Sequence, residues 1–280
     1  SNSQLILGDT AAAISSLQKA IAWDKELIEA HLRLIRIYSQ QQDITKALEA
    51  IDGLFLITSD NGLDNRLKGD LYRLNNQNKL SEKYYLSALK TSSSQTLILG
   101  LYRVFNKQKK FTSSTNLLEA WLKEQPKDLL VALALAETYK SAGKLGQAAG
   151  YYEKLLDQFP DTPVLLNNAA QVQIALGNLD LAGQYAAKAY QKVPDNIAII
   201  DTLAWIETLK GNFTKALPLF RQALALDFDH AEVKYHLGVT LHKLGRSAEA
   251  VRHLSDVVES EEFFEGKNEA KKLLERIESL

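Results

Sequence analysis

Four glycines recur at a fixed interval in the second half of this chain: Gly143, Gly177, Gly211 and Gly245, each 34 residues from the next. An alanine follows each of them by five residues, at Ala148, Ala182, Ala216 and Ala250. Pro160 and Pro194 stand seventeen residues after their glycines, Phe228 holds the third such place, and Pro126 lies one interval before Pro160. The frame runs backward through Lys109, Asn76, Gln42 and Gly8 at the glycine place, with Ser114, Ser81, Ala47 and Ala13 at the alanine place. Every step is 34 residues except the one from Asn76 to Lys109, which is 33, so one residue is missing between "YYLSALK" and "NKQKKF". A unit of this length cannot bury its own apolar face, so successive copies must stack on one another.

Each interval reads as two antiparallel helices. Within 129–162, "LLVALALAETYKSAG" and "LGQAAGYYEKLLDQF" both carry apolar residues at helical spacing. Gly143 lies in the short turn between them, where a residue of positive φ closes the first helix. Ala136, Ala170, Ala204 and Gly238 give one small place at the helix crossing, and Ala148, Ala182, Ala216 and Ala250 give the facing one. Proline ends the second helix because it has no N–H to donate. The interval 95–128 departs most, lacking the small residue at the first crossing place and carrying Ser114 at the second.

This pattern resembles the tetratricopeptide repeat, most closely over 231–264, where Leu237, Gly238, Gly245, Ala250 and Leu254 fall at the preferred places. The resemblance implies an all-α, right-handed solenoid of stacked hairpins. The expected organisation is a half repeat at 1–27, repeats at 28–61, 62–94, 95–128, 129–162, 163–196, 197–230 and 231–264, and a polar capping helix over 265–280. A narrower resemblance rests on "DTLAW" (201–205), "KALPLFRQAL" (215–224) and "EEFFEGKNEAKKLL" (261–274). These runs look like the C-terminal part of bacterial repeat lipoproteins of the PEP-CTERM/exosortase and exopolysaccharide systems. That likeness implies a periplasmic or membrane-anchored scaffold with further repeats and a lipid anchor upstream. The Ser1-Asn2-Ser3 start and the lack of methionine read as an excised segment, which leaves an upstream leader open.

Composition narrows the function classes. A net charge of -1 does not suit a phosphate-tracking surface, and no run approaches the roughly 20 apolar residues of a membrane span, so neither nucleic-acid binding nor a transmembrane segment is expected. With no cysteine, thiolate metal sites, disulfides and a cysteine nucleophile are excluded. Glycine-rich phosphate loops, G-x-S-x-G and H-E-x-x-H are absent from the sequence, so no enzyme, cofactor or metal site is expected. His31, His230, His236, His242 and His253 read as surface or groove histidines, since His236 and His242 are six apart and fall on different helix faces. The carboxylate pairs Glu119 with Glu124 and Glu261 with Glu262 read as solvated surface, and the Asn212-Phe213-Thr214 sequon as a turn.

Function then falls to the face of the first helices, which in this architecture lines a groove for a protein or peptide partner. The candidate residues are Leu32, Arg33 and Arg36; Arg66, Asp70 and Arg73; Arg103 and Lys107; Leu133 and Glu137; Asn167, Asn168 and Gln171; Asp201 and Trp205; Tyr235 and His236. The early arginines suit a carboxylate, a phosphate or an acidic segment through paired hydrogen bonds, unless they pair with Asp70, Glu29 or neighbouring acids and merely solubilise the helix. The amides suit a peptide backbone, whereas Trp205 and Tyr235 suit either a sugar-stacking platform or the core between repeats. Because amides and bases fall in different repeats, the carboxylate clamp of some family members is not expected. A glycan-binding accessory role and a structural oligomerisation module are the alternatives. The first hairpin, with Leu5, Ile6, Ile14, Leu17 and Ile21, presents an apolar end. The expected state is therefore a monomer or a weak homodimer, and a dimer formed through 1–40 would be suspect.

Overall fold

The computed structural model describes residues 2–261, 264 and 266–279, with side chains from Thr10 onward. Among the described residues the chain forms sixteen α-helices and no strand. It divides into two compact units, 1–142 and 143–280. The first holds α1 (Asn2–Trp23), α2 (Ile28–Gln40), α3 (Ile44–Thr58), α4 (Asn61–Leu74), α5 (Asn78–Leu89), α6 (Gln95–Lys107), α7 (Phe111–Glu124) and α8 (Leu129–Ser141). The second holds α9 (Leu145–Gln158), α10 (Pro163–Ala175), α11 (Leu179–Lys192), α12 (Ile197–Leu209), α13 (Phe213–Leu226), α14 (Ala231–Lys243), α15 (Ser247–Glu259) and α16 (Lys267–Glu278). Within each unit consecutive helices pack together, and so do alternate ones: α2 with α4, α4 with α6, α6 with α8, α10 with α12, and α12 with α14. Contacts that run only to near neighbours are those of a hairpin stack.

The turn inside each hairpin explains why the glycine place recurs. Gly143, Gly177, Gly211 and Gly245 have φ between 73° and 80°, and the earlier equivalents Gln42, Asn76 and Lys109 also adopt positive φ, at 58°, 57° and 57°. The backbone demands the left-handed region at all seven turns, and only the later four meet it with the residue that does so without strain.

Burial follows the same period. Ala47, Ser81, Ser114, Ala148, Ala182, Ala216 and Ala250 are completely buried, and four residues on Ile51, Tyr85, Leu118, Tyr152, Ala186, Phe220 and Leu254 are sealed as well. Side-chain size at this second place varies widely, and the facing helices compensate. The Tyr85 ring lies between Gly69 on α4 and Gly100 on α6, and a Cβ on either glycine would come within 2.5 Å and 2.9 Å of it. Gly100 stands two positions before Tyr102, which holds the expected crossing place in 95–128, and it faces Tyr85 of the preceding hairpin. Serine at the alanine place is tolerated because each hydroxyl finds a partner: Ser81 Oγ donates to the Gly69 carbonyl at 2.8 Å, and Ser114 Oγ lies 3.1 Å from Thr138 Oγ1. Thr138 in turn donates to the Ala134 carbonyl at 2.8 Å.

The 33-residue step is taken up at the end of α5, which has 12 residues where α7, α9, α11 and α13 each have 14. The loop after it ends in Ser94, whose side chain accepts from the Leu97 amide and caps α6. At the two chain ends, Ile14, Leu17 and Ile21 pack against the Leu34–Leu71 core, and α16 buries Ala270 and Ile277. The side chains of Leu5 and Ile6, and Glu262, lie outside the described residues.

Candidate functional site on the first helices

In the first unit the predicted basic face is largely committed to the protein itself. Arg66 Nη1 donates to Asp70 Oδ2 at 3.1 Å, Arg73 Nε donates to the Tyr85 hydroxyl at 3.2 Å, and that hydroxyl donates to Asp70 Oδ1 at 2.6 Å. Burial, and then the Asp70 carboxylate, push the Tyr85 hydroxyl well above its ordinary pKa. One carboxylate thus ties two arginines to the tyrosine held between Gly69 and Gly100. Lys107 Nζ donates to Asn76 Oδ1 at 2.6 Å, Glu137 pairs with Lys140 at 3.1 Å, and Arg33 pairs with Glu29 at 2.8 Å. Arg36 and Arg103 are exposed and, among the described residues, have no ion-pair partner. With Asp70 and Glu137 they form a column on α2, α4, α6 and α8 whose charge alternates in sign.

The second unit presents amides and aromatics. Asn168 and Gln171 on α10 are half-buried. Asn167 is different: only 6% exposed, its Oδ1 is sealed among described residues that offer it no hydrogen bond. Asn168 and Gln171, one turn apart, are therefore the accessible pair.

On α12 and α14 the candidates Asp201, Trp205, Tyr235 and His236 come together in one organised cluster, with Glu232 as the member that the sequence reading did not name. Asp201 is 7% exposed and accepts from His236 Nδ1, at 2.9 Å to one carboxylate oxygen and 3.0 Å to the other. Trp205, one turn along from Asp201, stacks on the His236 ring with centroids 4.3 Å apart and planes 17° from parallel. Tyr235 packs on Phe264 and against the edge of His236. Burial works against the imidazolium, but the Asp201 carboxylate, with help from Glu232, outweighs it and raises the His236 pKa. Trp205 thus gives one ring face to His236, and both Trp205 and Tyr235 pack partly against the core between the repeats. His31 is also not a surface group: it is 7% exposed and its Nε2 lies 3.1 Å from the Lys25 carbonyl.

Tetratricopeptide-repeat models match residues 4–64 and 208–265 and, separately, 133–197. The chain belongs to the tetratricopeptide-repeat family. Among solved structures, this tetratricopeptide-repeat chain is similar to a tetratricopeptide repeat protein from Parabacteroides merdae, at 14% identity and TM-score 0.72, over 90% of this chain and 98% of that one. It is similar to yeast Tom70 at 15% identity and TM-score 0.71, over 96% of this chain and 59% of that one. It is similar to PilW, a type IV pilus biogenesis factor, at 24% identity and TM-score 0.56, over 70% of this chain and 91% of that one. No curated relative matches it in sequence. Tetratricopeptide-repeat proteins are generally non-catalytic scaffolds that bind protein partners. Among the described residues no helix is long and apolar enough to cross a membrane.

Proposed function

We propose that this chain is a non-catalytic scaffold that takes an extended peptide segment or a partner helix along its first-helix face, in bacterial envelope protein sorting or exopolysaccharide assembly. The observation that carries the groove reading is the accessible amide pair Asn168 and Gln171, beside a helix whose own polar groups are otherwise satisfied or sealed. Side-chain amides offer both a donor and an acceptor, which is what a peptide backbone presents in return. In the first unit, Arg36 and Arg103 are the charges left to meet a carboxylate or an acidic side chain, while Arg66 and Arg73 hold the fold. The envelope setting rests on the resemblance of the runs 201–205, 215–224 and 261–274 to bacterial repeat lipoproteins.

The test is a peptide array tiled over bacterial envelope proteins, probed with the parent chain, with an Asn168→Ala/Gln171→Ala variant and with a Lys215→Glu control on the exposed face of α13. Peptides held by parent and control but lost by the amide variant support the reading. Peptides held equally by all three, or by none, overturn it.

A further inference from the structure

The Asp201, Glu232 and His236 side chains each bring one donor atom to within 4.8 Å of the other two. They come from two neighbouring helices in a fixed relation. Asp201 is on α12; Glu232 and His236 are four apart on α14, which places them one turn from each other on the same helix face. The imidazole cannot swing freely, because Trp205 stacks on its face and Asp201 holds its Nδ1 edge. Glu232 is exposed and Asp201 buried, so the donors span a path from solvent to the interior.

We propose that these three residues form a binding site for a divalent transition-metal ion of the zinc class. A nitrogen and two carboxylate oxygens are a borderline donor set that suits zinc and its neighbours better than the all-oxygen preference of magnesium or calcium. The charges also close: two carboxylates and a neutral imidazole neutralise a dication, and the ion takes the place of the proton that now lies between His236 Nδ1 and Asp201. Three protein ligands leave at least one coordination position for water or an outside donor. The Trp205 indole stacked on the ligating ring gives the site its own optical reporter.

The competing account is a structural ion pair between Asp201 and His236 in which Glu232 takes no part. The two separate on Glu232, which is exposed and whose change to glutamine leaves the Asp201–His236 contact in place. The experiment uses the full chain carrying Trp23→Phe and Trp121→Phe, so that Trp205 is the sole tryptophan. It is titrated with Zn2+ by calorimetry and with Co2+ by Trp205 quenching and visible absorption. The expected result is one saturable site, competed by the other ion, that weakens by more than about tenfold in Glu232→Gln, since even the loss of an outer-shell partner brings that much. His236→Gln should abolish it, and His242→Gln and His253→Gln should leave it intact. No saturable site in the parent overturns the proposal, and so does equal binding by the parent and Glu232→Gln. Should His236→Gln fail to fold, the Glu232→Gln comparison decides the matter alone.

Discussion

Alanine at position 69 would place a methyl carbon 2.5 Å from Cδ1 and 2.7 Å from Cε1 of Tyr85. The ring has nowhere to retreat. A Cβ at position 100 would already come within 2.9 Å of it, which shows how closely α6 approaches from the other side, and the Tyr85 hydroxyl is held 2.6 Å from Asp70. Forcing a methyl into a packed core costs about 1–3 kcal/mol, while replacing a mid-helix glycine by alanine returns roughly 0.5–1 kcal/mol. Gly69→Ala is therefore expected to destabilise the hairpin of α4 and α5 by about 1–2 kcal/mol. Arrays of this kind open locally, so amide hydrogen exchange over 61–107 is the right readout, with roughly tenfold faster exchange for each 1.4 kcal/mol. The decisive comparison is Gly69→Ala made in a Tyr85→Leu background, where the smaller side chain frees the space and the alanine should be neutral or stabilising. If Gly69→Ala slows exchange in the parent, or if the two changes add to within about 0.5 kcal/mol, the close packing of Gly69 on Tyr85 is not what keeps position 69 small.

Lys109→Gly should raise stability by on the order of 0.5–1 kcal/mol, because it relieves left-handed strain of about 1–2 kcal/mol against a smaller entropic loss, whereas Gly177→Ala should lower it by about 1 kcal/mol; thermal melts of both check the sign. Arg66→Glu should lower the melting temperature by breaking the Asp70 network, while Arg36→Glu should leave it unchanged, and differential scanning calorimetry of the pair tests this. Asp128 caps α8 and accepts from Trp121 Nε1 at 2.8 Å and Gln95 Nε2 at 2.9 Å. Burial acts to raise its pKa, but these hydrogen bonds outweigh it and lower the value. The stabilisation it brings is then complete above the ordinary carboxylate pKa of about 4 and fades as pH falls through the lowered folded value. Asp128→Ala should cost about 1–2 kcal/mol near neutrality, and parent and variant should converge at the acid end of a urea titration followed by tryptophan fluorescence.

The period was legible from Gln42 onward, since left-handed turns at Gly143 or Gly211 leave a glycine in the text and close crossings leave an alanine; at Gly8, where the frame also places a turn, α1 runs unbroken from Asn2 to Trp23. Where other residues carry the same backbone, as at Gln42 and Lys109, only the count of 34 reveals it. The Tyr85 packing was not legible: its two glycines occupy different places in their repeats, so no periodic comparison pairs them. The basic face left two readings open, and pairing with Asp70 and Glu29 holds for Arg66 and Arg33. Arg66 and Arg73 look like Arg36 in sequence, yet they lie on the same helix as Asp70 and close to Tyr85, which decides their fate. The Asp201, Glu232 and His236 cluster had a signal, the four-residue spacing of Glu232 and His236, but its third member required knowing which residue of α12 meets α14.

The hydroxyl of Ser114 meets that of Thr138, and Thr138 donates into its own helix. A chain built from near-copies risks assembling out of order, with one hairpin skipping its neighbour and settling on a look-alike. At most copies of this place the residue is alanine, and such an exchange would go unnoticed by shape alone. A serine there must find a hydrogen-bond partner wherever the hairpin is seated, as Ser81 finds the Gly69 carbonyl and Ser114 the Thr138 hydroxyl, and a buried donor left without one costs about 1–3 kcal/mol. Buried serine at this place therefore adds a polar requirement to the seating of a hairpin that alanine does not make.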